Sequence, residues 1–197
     1  MKEKIKEKPV SVFSISLLGF IVIFVFGVLS GGYFIQSTDV KLYALTDSTF
    51  ISGIFADAAN GWISYFSSFL FDFLFFLVLV FLFGMTFLGV AVVPAAVFFK
   101  GAVLGTALSA LLLDNSASFF RSWMTYLPAA ALSIGVFLFF SSCAFAVSLK
   151  ACRLLFLRES TSISLKSYWF QFLSALLMLL AASAVHCILG FLAVILF

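Results

Sequence analysis

Five apolar runs, each close to the length of a bilayer crossing, constrain this chain more than any other feature of its sequence. A helix needs about 20 residues to cross a hydrocarbon core about 30 Å thick. Runs of that size occur at residues 12–34, 63–83, 89–113, 126–149 and 168–193. They are continuous rather than alternating, which favours helices over the strands of a β-barrel. Only 10% of the 197 residues are charged and 64% are hydrophobic, with a mean hydropathy of +1.27. Lipid must cover much of such a surface. The expected fold is all-α: one integral membrane domain over 1–197, a polytopic transmembrane helical bundle of about five spans with a kinked or broken central helix pair. The net charge of +3 is too small to suggest nucleic-acid binding.

The first run follows MKEKIKEKP, exceeds the length of a signal-peptide core and lacks a clear small-residue cleavage site. It is read as a retained helix. Direction follows from charge. Lys2, Lys4, Lys6 and Lys8 in the N-terminal tail, with Lys150, Arg153, Arg158 and Lys166 before the last run, make up eight of the eleven basic residues. Five spans place both groups on one side, which the positive-inside rule makes cytoplasmic. The 36–61 loop, holding Asp39, Lys41, Asp47 and Asp57, then faces outward, as does the 114–124 loop. The C-terminus ends near the outer face of the cell membrane. Trp62, Tyr65, Trp123, Tyr126, Tyr168 and Trp169 fall near the expected interfaces, as an aromatic belt would. A four-span alternative, with 73–99 as one span and the next residues re-entrant, puts 150–166 outside and breaks the charge rule.

The 36–61 loop is too short for an independent domain, since domains below about 40 residues rarely fold alone. Phe50, Ile51, Ile54, Phe55 and Ala58 recur there at helical spacing, which predicts a short interfacial helix over 49–59.

The centre of the chain is unusual. The second and third runs are joined by GMTFLG, a connection with no charge, bracketed by Gly84 and Gly89. Irregular backbone at membrane depth requires shielding by protein or a wet cavity. Pro94 removes a backbone donor early in the third run and favours a kink there. Gly101 and Gly105 form a GxxxG pattern, and Gly27 with Gly31 forms another; such faces let helix backbones approach closely. They invite partner helices and leave a homo-oligomer open.

Lys100 stands in the middle of this apolar stretch, where a lysine costs about 2.5–3.5 kcal/mol on insertion scales. It lies about 16 Å from the inner start of its span, and Asp72 lies about 14 Å below the outer start of the preceding one, at 1.5 Å per residue. Both fall near the midplane, which predicts an intramembrane Asp72–Lys100 ion pair. Such a pair either clips two helices together or marks an ion, proton or lipid site. A third possibility is an unpaired Lys100 that snorkels to a headgroup.

Reactive constellations are sparse. Cys143, Cys152 and Cys187 form no CxxC, and His186 is the only histidine. Neither a metal site nor a cofactor is expected. Buried thiols and a hydrogen-bonded packing histidine are the readings adopted. Nucleophilic catalysis, intramembrane proteolysis and nucleotide hydrolysis each need motifs this sequence lacks. No catalytic residue is assigned, and the chain is expected not to be an enzyme. The glycine–proline centre is compatible with a discontinuous transporter helix, although no second half repeats it.

The spacing Gly84-x4-Gly89-x4-Pro94-x5-Lys100-Gly101-x3-Gly105 resembles that of the stage II sporulation protein M family. The size of the chain, its short basic N-terminus, its long first loop, Pro128 in TYLPAA and the segment SLKACRLLF are also similar. The match is best over residues 73–157, and elsewhere it is one of topology. The resemblance implies a polytopic membrane scaffold rather than an enzyme. In sporulation the family member anchors a peptidoglycan-remodelling machine used in engulfment, with the stage II sporulation proteins D and P as hydrolase partners. It carries over no catalytic residues, and Gly84, Gly89, Pro94, Lys100, Gly101 and Gly105 would be structural positions. The function expected is a non-enzymatic membrane scaffold, in contact with lipid and with such hydrolases. The alternative is a transporter or permease-type component with Lys100 near its path.

Overall fold

The computed structural model describes residues 9–37, 62–113, 118–157 and 164–196. These residues form five helices: α1 (Pro9–Ser37), α2 (Trp62–Gly84), α3 (Gly89–Leu113), α4 (Ser118–Leu157) and α5 (Leu165–Leu196). Each contains a segment long and apolar enough to cross a membrane. The protein is therefore an all-α helical bundle of the multi-pass membrane class. The 36–61 loop beyond Ser37, with its expected helix over 49–59, lies outside the described residues, as do Lys2, Lys4, Lys6 and Lys8.

Helix ends differ most from expectation at α4, which runs for 40 residues rather than over 126–149. At 1.5 Å per residue it is about 60 Å long, twice the hydrocarbon thickness. Hydropathy marks where lipid begins, whereas a helix ends only where its backbone hydrogen bonding does. Residues 118–124 are therefore helix rather than outer loop, and Lys150 and Arg153 sit on α4 rather than in a connection.

The break in the central pair falls between α2 and α3, at 85–88, and α3 continues as one helix through Pro94. The turn satisfies its own backbone: Thr86 N–H donates to the Phe83 carbonyl (2.9 Å), and Gly89 N–H donates to that of Thr86 (3.2 Å). Ser148 Oγ on α4 also donates to the Thr86 carbonyl at 2.7 Å, tying the turn to the bundle. Met85, Phe87 and Leu88 point outward, so the shielding expected of this apolar connection comes through its hydrogen bonds rather than through burial of its side chains.

α4 is the hub and packs against all four other helices. α1 lies mainly along α3. The reason is visible in the glycines. A Cβ added at Gly31 would run into the backbone of Ala102, one at Gly101 into that of Phe24 and Gly27, and one at Gly105 into that of Val28. The two GxxxG faces thus fill each other within one chain. Small residues at such a crossing let dispersion contacts accumulate between backbones, where lipid supplies no hydrophobic drive. The core is built from Phe69, Phe73 and Leu77 of α2, Val97 of α3, and Phe137 and Phe140 of α4. Apolar residues such as Leu18, Phe26, Phe71, Phe99 and Leu177 form the outward face.

Candidate functional site

Buried positions on α3 recur at Val93, Ala96, Val97, Lys100, Leu104 and Ala107, one stripe of a 3.6-residue helix. Lys100 thus belongs to the inward face. On α2 the inward stripe includes Phe69, Asp72, Phe73, Phe76 and Val80. The two stripes face each other and bring the sequence-selected pair together. Lys100 Nζ lies 2.6 Å from Asp72 Oδ2, with side-chain exposures of 1% and 4%. Nζ also reaches the Asp72 backbone carbonyl at 3.4 Å. The Phe73 ring lies beneath it with its centroid at 3.9 Å, and the Phe76 centroid is 5.4 Å away. The ammonium is therefore held by a carboxylate, a carbonyl and the negative faces of two rings. It does not snorkel to the membrane surface.

Next to the pair lies a groove of about 430 Å³ lined by apolar side chains, among them Phe75, Phe76, Ala96 and Phe99. Lys100 is not among its walls. Asp72 Oδ1 and the Tyr126 hydroxyl are buried, and among the described residues neither has a hydrogen-bond partner. The charges are enclosed by packing, and this arrangement can bind helices together without opening toward solvent.

Tyr126 and Tyr168, expected near the interfaces, turn their side chains into the bundle rather than outward. Tyr126 is buried, edge-on to Phe69 and to His186. Tyr168 is buried too: its hydroxyl donates to the Phe81 carbonyl at 3.0 Å, while its ring stacks on Phe81 and Phe140. The last turn of α2 frees carbonyls that a hydroxyl from a neighbouring helix can satisfy, and α5 supplies it. Trp169, the next residue, points outward as a belt residue would. His186 is buried and stacks on Phe69 with centroids 4.4 Å apart. Only the partner contributed by another helix distinguishes these aromatic residues, so the sequence carried no local signal for them.

The remaining motif positions are places of close approach. A Cβ at Gly84 would collide with the Tyr168 hydroxyl and Ala144, and one at Gly89 with the Phe83 carbonyl and Ser148 Oγ. Pro94 is half-buried within α3. Cys143 is buried, and Cys152 and Cys187 are half-buried, all as free thiols. Among the described residues no group of three His, Cys, Asp or Glu side chains could hold a metal ion. Comparison of the chain with protein-family models, with curated proteins and with solved structures finds no match.

Proposed function

We propose that this protein is a non-enzymatic membrane scaffold, in the manner of the stage II sporulation protein M family that its central motif resembles. The observation that carries the reading is the enclosure of Lys100. Its ammonium is 2.6 Å from Asp72 and covered by Phe73 and Phe76, which suits a helix clip better than a group lining a transport path. A bundle whose midspan ion pair is turned inward leaves the connections and the lipid-facing surface to meet partners. In the orientation favoured by the positive-inside rule, the N-terminus and the α4–α5 connection are cytoplasmic. The 36–61 loop and the α3–α4 connection are then the outward docking surfaces, with peptidoglycan hydrolases such as the stage II sporulation proteins D and P as the class of partner.

Pull-down of the full chain from native membranes tests this directly. Co-purification of cell-wall hydrolases is the expected result. Co-purification of a nucleotide-binding subunit would instead favour a permease component. Lys100-dependent solute flux in proteoliposomes would overturn the scaffold reading.

A further inference from the structure

Two cavities on the α4–α5 side of the bundle share residues and change character along their length. The first, about 330 Å³, is lined in part by Lys150, Ser164, Ser167 and Gln171. Phe13, from the first turns of α1, also lines it, so it opens at the bundle end that carries the start of α1 and the α4–α5 junction. The second, about 560 Å³, shares Ser167 and Gln171 and continues along the lipid-facing side of α4 and α5. Its walls there are mostly apolar and include Phe139, Phe170 and Met178. The floor at Gly135 is open, since a Cβ built there meets nothing within 4 Å.

The polar end has the chemistry of an anion site. Lys150 supplies a cation at the edge of its span, and the only carboxylate among the described residues, Asp72, is already held by Lys100. Ser164 and Ser167, from the start of α5, both line this pocket, and Ser164 Oγ caps the helix by accepting the Ser167 N–H at 3.4 Å. The dipole of the helix N-terminus favours an anion close to it. Lys166 and Arg153 add positive charge at the same end of the bundle. An anionic pocket ligand whose site continues into an apolar groove must itself be amphipathic.

We propose that this is a binding site for one anionic phospholipid, its phosphate held by Lys150 and the hydroxyls of Ser164 and Ser167, and one acyl chain lying over Gly135 toward Met178. The inference rests on the multi-pass membrane fold and not on the scaffold reading, so either can fail without the other.

The test uses the purified full chain in detergent, with lipid retention read by native mass spectrometry and the thermal midpoint measured in parallel. Phosphatidylglycerol should be retained and should raise the midpoint, while phosphatidylcholine at the same concentration does so far less. Lys150→Gln, at an exposed position, should weaken phosphatidylglycerol retention about fivefold, the worth of one lysine at an anionic lipid surface. Gly135→Leu, and independently Met178→Trp, should fill the groove and reduce retention of both lipids without lowering the lipid-free midpoint. Equal retention of the two lipids, or unchanged retention in the Lys150 and both groove variants, overturns the proposal. So does an equal midpoint shift from inorganic phosphate alone, because the chain would then be irrelevant. A dimer of the protein that dissociates on Gly135→Leu also overturns it, because the groove would then hold a helix of a second copy.

Discussion

Lys100 Nζ and Asp72 Oδ2 are 2.6 Å apart at the centre of the bundle, on helices joined by a turn of only four residues, 85–88. The pair therefore closes the α2–α3 hairpin from the inside, while the Ser148–Thr86 hydrogen bond closes it at the turn.

Removing one partner strands a buried charge, which costs about 3–5 kcal/mol where it has been measured for buried pairs. Asp72→Leu and Lys100→Met should each lower folded yield and thermal midpoint sharply. The double variant should recover much of the loss, because no charge is left unpaired. If it is no better than the two single losses added together, the residues are not coupled.

The α1–α3 crossing depends on backbone approach. Gly105→Ala should destabilise by about 1–3 kcal/mol, since overpacking displaces the Val28 backbone. Gly19→Ala, where a Cβ meets nothing within 4 Å, should stay within about 0.5 kcal/mol. Thermal midpoints of the two variants in one detergent give the comparison, and equal values would mean that α1 does not cross α3 at these glycines.

Tyr168→Phe removes the hydroxyl bonded to the Phe81 carbonyl and should cost about 0.5–1.5 kcal/mol. Ser148→Ala should speed amide hydrogen exchange at 86–89, because it frees the turn from α4. Trp169→Phe, at an outward position, should leave both readouts near their starting values.

Thiol accessibility checks the proposed orientation. Cys152 is half-buried close to the end of α4, whereas Cys143 is buried about 14 Å further along the same helix. Thiolates react where water reaches them. A membrane-impermeant maleimide should label Cys152 only after cells are permeabilised and should leave Cys143 unlabelled in the folded protein. Labelling of Cys152 in intact cells would invert the topology.

The five long helices of the described residues, their class and the pairing of Asp72 with Lys100 were legible in the sequence. Crossing a membrane is a requirement on length and polarity, and both are read along one dimension. The same reasoning placed a carboxylate and a lysine at matching depth on consecutive spans. Tertiary structure alone decided rotation and partners. It turned Gly27 and Gly31 onto Gly101 and Gly105, drew Tyr126, Tyr168 and His186 into the interior, and made α4 the helix that touches all others. The helices are apolar on every side, so hydropathy does not distinguish the face meeting a neighbour from the face meeting lipid. Shape, small residues and a few hydrogen bonds make that choice, and they exist only between helices once packed.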